Sequence, residues 1–259
     1  MRELSAVLVI AQRDQVKFLR DPARLISGLI FPAVFIGIMG GTLQANLSAN
    51  VGYSFLAFAF SGVLAQTLFM SSAQGVISLI EDRQNDFSQE IFVSPISRYS
   101  IVVGKILGEA MVSLSQGVMI LVLGVLLGAV ESPDRLVRLL PVSIAVCFVG
   151  GAFGILVLAN LGSQRAANQV FPFVMLPQFF TSGLFTPIQV LPLPLEVLSR
   201  ISPLRYAVDL TRNIFYAGQP DYGKVVLDSP LLDGAVVAAM FAFFLVVGTA
   251  LFVRKERNR

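Results

Sequence analysis

The stretch Leu25–Gln44, LISGLIFPAVFIGIMGGTLQ, runs for twenty residues without an Asp, Glu, Lys or Arg. A helix needs about 20 mostly apolar residues to cross the hydrocarbon core of a bilayer, and its backbone groups are then hydrogen-bonded within the helix. A water-soluble core helix has no need of such runs repeated along a chain. The stretch therefore predicts a membrane-spanning helix.

Comparable apolar segments recur along the chain, at residues 51–80, 101–130, 139–161, 170–194 and 232–253. Together with residues 25–44 they predict an all-α integral membrane protein with six transmembrane helices in a single domain, 1–259. Proline removes a backbone donor and kinks a helix, so we expect the fifth segment to break rather than cross in one piece. Its prolines are Pro172, Pro177, Pro187, Pro192 and Pro194.

The composition excludes several classes of protein. The chain is 55% hydrophobic and 14% charged, which excludes a disordered chain and an ordinary soluble domain. It has no His and a single Cys, Cys147, so we expect no disulfide, no His-based acid–base chemistry, no metal site and no cofactor of its own. The basic residues lie beside apolar segments, which favours a lipid bilayer over nucleic acid as their partner.

The positions of Lys and Arg predict the orientation. The side with most of them carries the N-terminal segment, residues 81–100, Arg165 and the basic tail, residues 254–259. The positive-inside rule places that side in the cytoplasm, so both termini of this multi-pass protein are expected on the cytoplasmic side of the cell (inner) membrane.

The N-terminal segment, residues 1–24, predicts an amphipathic helix. It fits either a helix lying in the membrane interface or a solvated leader helix. Its apolar face comprises Leu4, Val7, Leu8, Ala11, Phe18 and Leu19, and its polar face comprises Arg2, Glu3, Arg13, Asp14, Lys17 and Arg20.

The segment 81–100 is the main polar interruption in the first half of the chain, yet it contains an apolar cluster. Such a segment fits a short amphipathic helix that docks on a soluble partner, and it equally fits a helix lying on the lipid. The candidate docking residues are Asp82, Arg83, Phe87, Glu90, Ile91, Phe92, Pro95 and Arg98.

This part of the chain resembles a known family. The run from Asp82 to Gly108, which contains VSPISR (93–98) and IVVGKILG (101–108), is similar to the cytoplasmic loop of ATP-binding-cassette (ABC) type-2 permeases, closest to the daunorubicin-resistance-like branch. A second match is ISPLRYAVDLTR (201–212). The family usually has Glu at the place of Gln84 and Gly at the place of Asp86.

The resemblance implies a membrane subunit that forms a homodimer and pairs with a separate cytoplasmic ABC ATPase, which would hold ATP and Mg²⁺. It further implies that residues 82–98 form a coupling helix, residues 1–20 an interfacial connecting helix, and residues 187–216 re-entrant helices on the outer face. The residues alone agree that ATP is handled elsewhere. Gly218–Lys224 fits G-x-x-x-x-G-K, but Val225 follows where a P-loop has Ser or Thr.

Residues 195–231 are too polar to span and too apolar for a solvated loop. We expect a short amphipathic helix at the outer interface, with Arg200, Arg205 and Arg212 at headgroup level and Asp209 available as their partner.

The second span carries polar and aromatic residues along one side, at Tyr53, Phe60, Thr67, Ser71, Gln74 and Ser78. The opposite side, with Phe58, Ala65, Phe69, Val76 and Ile80, is expected to face lipid. The fifth segment offers a similar polar face at Phe171, Met175, Gln178 and Ser182. These faces fit either a substrate pathway or hydrogen bonds between helices.

The sequence thus predicts the permease subunit of an ABC exporter, without catalytic residues of its own, for a hydrophobic or amphiphilic compound such as a drug, antibiotic or lipid-like molecule. Export of a lipid-linked saccharide or polysaccharide is the alternative within the family. An ion channel or gradient-driven carrier is the alternative from another class, and carriers usually hold ionisable residues near the bilayer centre. Lys105 and Glu109 lie near a span end, where we expect them to pair with each other.

Overall fold

A computed structural model describes residues 2–42, 52–84, 97–158, 161–184 and 192–257. Every regular element in those ranges is a helix. The helices are α1 (Arg2–Leu19), α2 (Pro22–Val34, continued by a π-helical segment, Phe35–Gly40), α3 (Phe55–Gly75), α4 (Ser78–Gln84), α5 (Arg98–Leu126), α6 (Pro133–Leu158), α7 (Gln164–Thr181), α8 (Leu193–Ile201), α9 (Pro203–Phe215), α10 (Tyr222–Val225) and α11 (Pro230–Arg257).

Several helices begin at a short polar side chain that caps them. Asp21 accepts a hydrogen bond from the backbone N–H of Arg24 and Pro22 follows it, an arrangement that favours a helix start at this point. Ser54 and Ser163 cap α3 and α7 in the same way. The boundaries of the membrane helices therefore follow from local chemistry as well as from hydropathy.

The number of span-capable helices is lower than predicted. Among the described residues, Phe55–Asp82, Arg98–Leu126, Pro133–Val157 and Pro230–Lys255 are long and apolar enough to cross a membrane. A fifth candidate exists only if Glu3–Leu19 and Pro22–Ile38, which meet at 77°, count as one broken span. The structure supports four or five spans, and the predicted count of six is not confirmed.

The predicted fifth segment differs from expectation in where it ends. Helix α7 begins at Gln164 and continues through Pro172 and Pro177 to Thr181. Gly183 follows with a φ of 78°, a left-handed conformation that ends the helix. The segment 170–194 is therefore not one continuous helix, as expected, although the helix ends after Thr181 and not at Pro172 or Pro177. Within α7, neighbouring groups can compensate for the donors that these two prolines lack.

Helix α3 lies at the centre of the fold, packed against α5, α6 and α9. Glycines allow the closest of these approaches: a Cβ atom at Gly150 of α6 would lie 2.5 Å from the backbone oxygen of Phe69. Gly154, one turn further along, faces the backbone of Ala73 in the same way. Small residues let two membrane helices pack backbone to backbone, where dispersion contacts are most numerous.

Helix α1 lies along the beginning of α5. Gly104 and Gly108 of α5 provide the close approach, since Cβ atoms there would meet the backbones of Val7 and Ala11. Leu4 and Leu8 stay exposed on the outer side of α1. This combination fits a helix that is fixed to the protein on one side and free to contact the membrane interface on the other.

Helices α1 and α9 lie at opposite ends of the bundle. Helix α9 packs near the beginning of α3, where the Arg212 guanidinium lies 3.8 Å from the centroid of the Phe58 ring. Helix α1 contacts Asp82, beyond the end of α3. The two ends are called the α1 end and the α9 end below.

Candidate functional site

A cavity of about 630 Å³ lies between α2, α3, α5 and α7. Uncharged polar side chains line much of it, together with an apolar wall and two charged residues. The polar lining comprises Ser27, Gln66, Thr67, Ser71, Gln74, Ser78, Gln116, Gln164 and Asn168; the apolar lining includes Phe31, Pro32, Met70, Ile77 and Phe179; the charged residues are Arg24 and Glu81.

Four of the residues predicted for the second-span pathway lie together in this lining. Thr67, Ser71, Gln74 and Ser78 follow one another at helical spacing and face the cavity. Gln74 is exposed and the other three are half-buried, although α3 is otherwise the most deeply buried span. A role of these residues in transport stays a prediction.

Two members of the predicted stripe lie elsewhere. Phe60 is fully buried against Gly124 and its ring centroid lies 5.5 Å from that of Phe215, toward the α9 end. Tyr53 is buried against Phe55 and Phe58. The cavity therefore ends short of both aromatic rings.

The side of α3 that we expected to face lipid faces the protein instead. Phe58, Ala65, Phe69, Val76 and Ile80 are all buried, with exposed fractions of at most 2%. The expectation was wrong because lipid tails and a helix interface are equally apolar, so hydropathy does not separate a lipid-facing side from a packed one.

The predicted residues of α7 lie inside the protein and do not line the cavity. Phe171, Met175, Gln178 and Ser182 are buried, and the Gln178 amide oxygen accepts a hydrogen bond from the Ser202 hydroxyl at 3.4 Å. That contact joins α7 to the residue before α9. The described residues of α7 that line the cavity are Gln164, Asn168 and Phe179, none of which we predicted for the site.

Two further amides, also missed, are buried in the cavity wall. Gln66 of α3 is 5% exposed, and its side-chain oxygen has no hydrogen-bond partner among the described residues. Gln116 of α5 is 7% exposed, and its amide nitrogen lies against Gly28, where a Cβ atom would come within 2.7 Å. An amide inside an otherwise apolar run was the signal in the sequence that could have found them.

A network of buried charges closes the α1 end of the site. The Lys105 ammonium lies 2.7 Å from Asp14 and 3.1 Å from Glu109, so the predicted pair of Lys105 and Glu109 is present. Arg24 approaches Glu109 at 3.8 Å. Asp14 belongs to the predicted polar face of α1, and in the structure it is 5% exposed and fixes α1 to α5.

A smaller cavity of about 230 Å³ adjoins this network. Arg24, Ser78 and Glu81 line both cavities, and Asp14, Asp82 and Glu109 are among the other residues of the smaller one. The uncharged polar cavity therefore continues into a charged vestibule at the α1 end.

The structure describes only the flanks of the predicted docking segment. Asp82 and Arg83 lie in α4, and Arg98 begins α5. Phe87, Glu90, Ile91, Phe92 and Pro95 lie outside the described residues. Helix α1 contacts both flanks: Arg13 binds Asp82 at 2.5 Å, and Glu3 accepts a hydrogen bond from the backbone N–H of Ser97 at 3.2 Å.

The α9 end holds a second polar cluster. Arg200 is exposed, whereas Arg205 and Arg212 are buried within the protein. The expected depth of the three arginines at headgroup level stays a prediction. Burial lowers the pKa of Arg212 to about 10. Its guanidinium stacks on Phe58, a cation–π contact that compensates part of the lost hydration.

Asp209 fixes α9 to the chain before α11. It accepts hydrogen bonds from the backbone N–H groups of Leu227 at 3.0 Å and Asp228 at 2.9 Å, so these amides rather than an arginine are its main partners. Burial raises the pKa of Asp209, and the two backbone hydrogen bonds oppose that rise. The carboxylates of Asp209, Asp228 and Asp233 are close enough to share a cation. However, the two backbone N–H groups already bind the oxygens of Asp209, and Arg205 already pairs with Asp228.

Comparison with known proteins gives matches over most of the chain. The profile of the family described as ABC-2 type transporter matches residues 5–216. The putative transport permease ycf38 of Cyanophora paradoxa is 26% identical over 216 residues, which cover 82% of this chain and 74% of the relative. Its counterpart in Porphyra purpurea is 25% identical over 217 residues, with the same shares. The probable multidrug ABC transporter permease YbhR of Escherichia coli (strain K12) is 25% identical over 140 residues, 54% of this chain and 38% of the relative.

Proposed function

The chain belongs to the ABC-2 type transporter family, and from that premise we propose that it is the membrane-spanning subunit of an ATP-driven exporter for amphiphilic compounds. The observation that carries the proposal is the cavity of about 630 Å³ beside α3. It combines hydrogen-bonding groups with an apolar wall, as a site for an amphiphile requires. The relative named as a multidrug permease supports a drug-like cargo.

The cargo path runs along the polar side of α3. Thr67, Ser71, Gln74 and Ser78 contact the cargo, and the vestibule at the α1 end is its entrance. The charged groups of the vestibule attract water, so a cargo that enters from the aqueous side loses its hydration stepwise rather than at once.

ATP is bound and hydrolysed, with Mg²⁺, by a separate ABC ATPase that docks on residues 81–100. The contacts of α1 with both flanks of this segment support the assignment, because Arg13 and Glu3 hold Asp82 and Ser97 at the same surface. A force applied between those flanks reaches α5 through the buried pair of Asp14 and Lys105.

Two copies of the chain form the exporter in the cell membrane, with both termini in the cytoplasm. The excess of Lys and Arg at the α1 end supports this orientation. Phe173, Leu176 and Phe180 are exposed on one side of α7, and this side contacts lipid or the second copy.

A lipid-linked saccharide is the second candidate cargo. The amides of Gln66, Gln116, Gln164 and Asn168 favour it, because side-chain amides can donate to and accept from sugar hydroxyls. A long saccharide requires a wider path than this cavity, so we place this candidate after a compact amphiphile.

Docking of the ATPase is tested by co-purification. We expect Phe87→Asp and Phe92→Asp to abolish co-purification of the ATPase with this chain while membrane insertion stays normal, because a carboxylate cannot enter an apolar groove without a large desolvation penalty. Phe87→Leu and Phe92→Leu are the matched controls and should retain the ATPase. Normal co-purification of both Asp variants would refute docking at this segment.

A further inference from the structure

Two buried amides, Gln66 and Gln116, line the cavity beside α3. Gln66 and Gln116 are each more than nine-tenths buried, and the Gln66 oxygen has no hydrogen bond within the described residues. A buried amide without a partner loses its hydrogen bonds to water and gains nothing in return. Because the cavity is large enough for a ligand and these groups line it, a ligand with its own polar groups can satisfy them.

Among the described residues, the deeper lining has no charge that could balance a charged ligand. Arg24 and Glu81, the charged residues of the lining, have opposite signs and both lie at the α1 end. Arg24 also lies near Glu109, at 3.8 Å. An ammonium or a phosphate placed between Gln66 and Gln116 would be desolvated without a counter-charge, which is costly.

The ligand that fits this lining has an uncharged polar group with several hydrogen-bond donors and acceptors. A side-chain amide offers a carbonyl oxygen and two N–H donors, which match hydroxyl and amide groups of a ligand. Gln164 and Asn168 of α7 add two more amides across the cavity from α3. Phe31, Met70 and Phe179 provide an apolar wall beside them for a ring or an alkyl chain.

We propose that this cavity recognises the uncharged, hydroxyl- or amide-bearing headgroup of an amphiphile, and that Gln66 and Gln116 determine this specificity. The inference rests on the proposed transport function, because it names the class of cargo for the same site. It is tested by binding in the absence of ATP and of any ATPase, so its failure is distinguishable from failure of the proposed function.

The chain contains no Trp, which permits a clean fluorescent reporter. Phe179→Trp places a single indole in the cavity wall, and Phe243→Trp places one on an exposed part of α11 as the control for partitioning into lipid. The probe is an alkyl glucoside with a brominated chain, which quenches indole fluorescence on contact. Alkyl trimethylammonium and alkyl sulfate with the same brominated chain are the charged comparisons, and the protein is held in lipid nanodiscs.

We expect saturable quenching by the glucoside in the Phe179→Trp protein and only linear, lipid-dependent quenching in the Phe243→Trp protein. Gln66→Met and Gln116→Met should each raise the half-saturating glucoside concentration about three- to tenfold, as the loss of one or two hydrogen bonds predicts. Gln12→Met, an exposed amide on α1, should leave it unchanged. Gln116→Glu should bind the trimethylammonium probe more tightly than the parent protein does, which gives a gain of binding that a misfolded variant cannot show.

Three results would overturn the proposal. One is equal affinity for the glucoside and the two charged probes. Another is that free glucose prevents quenching by the brominated glucoside at the same concentrations at which the glucoside itself binds. That result would mean that the cavity takes a water-soluble ligand instead of an amphiphile. The third is the absence of saturable quenching by any probe, as expected if a second copy of the chain fills the cavity.

Discussion

The buried charges at the α1 end make a quantitative prediction for Lys105→Met. The Lys105 ammonium is 2.7 Å from Asp14 and 3.1 Å from Glu109, and the side chains of all three are at most 5% exposed. Methionine keeps an unbranched side chain, one atom shorter than that of lysine, and leaves two buried carboxylates without their ammonium. Removing one partner of a buried ion pair costs about 3–5 kcal/mol, so we expect the free energy of unfolding to fall by that amount.

The assay is equilibrium unfolding of the purified chain in mixed micelles with graded SDS. Lys17→Met is the matched control: Lys17 is 58% exposed and lies 3.7 Å from Asp82, so we expect a loss below about 1 kcal/mol. The triple variant Asp14→Leu, Lys105→Met, Glu109→Met removes the three buried charges, leaves only the partly exposed Arg24, and should recover most of the stability, because apolar replacement of a buried ion network is often close to neutral. If Lys105→Met loses no more stability than Lys17→Met, the network is not buried and α1 does not pack on α5 as described.

The remaining predictions concern packing and topology. Gly154→Ala should destabilise the protein by about 1–3 kcal/mol in the same assay, because its Cβ atom would meet the backbone of Ala73. Gly234→Ala on α11 is the control: the added atom meets nothing within 4 Å, so the variant should be neutral or stabilising. Equal effects of the two substitutions would contradict the close contact of α3 and α6. In a Cys147→Ala background, a cysteine that replaces the exposed Ala217 should react with an impermeant thiol reagent added outside intact cells. A cysteine that replaces the exposed Gln12 should react only after lysis. The reverse pattern would refute cytoplasmic termini.

Much of the helix order could be predicted because its signals are local. Charge-free runs and the caps Asp21 and Ser163 mark where helices begin, and small residues such as Gly150 and Gly154 favour the close helix contact that the structure contains. The count of six spans is not confirmed, because the first apolar run is bent against α1 and α7 lacks the hydropathy of the other candidate spans. Hydropathy alone does not describe how far a helix is tilted or bent.

The site was only partly predictable, because the sequence of a single helix does not show which side faces lipid and which side packs against other helices. The helical wheel placed Thr67, Ser71 and Gln74 on one side correctly but assigned Phe69 to lipid, whereas α6 covers it. Gln66 and Gln116 come together from two helices that are far apart in sequence, and Asp14 meets Lys105 across ninety-one residues. Such partners follow from tertiary packing, which the periodicity of one helix does not contain.

The most direct test of the account is transport by purified components. The chain is reconstituted into proteoliposomes with its proposed partner, an ABC ATPase, and movement of the brominated alkyl glucoside is followed with ATP outside. We predict ATP-dependent movement of the probe that stops when the catalytic glutamate of the ATPase is replaced by glutamine, that falls with Gln66→Met, and that is absent when the ATPase is omitted. Equal movement driven by an ion gradient alone, without ATP or the ATPase, would contradict the account and identify the chain as a gradient-driven carrier or a channel.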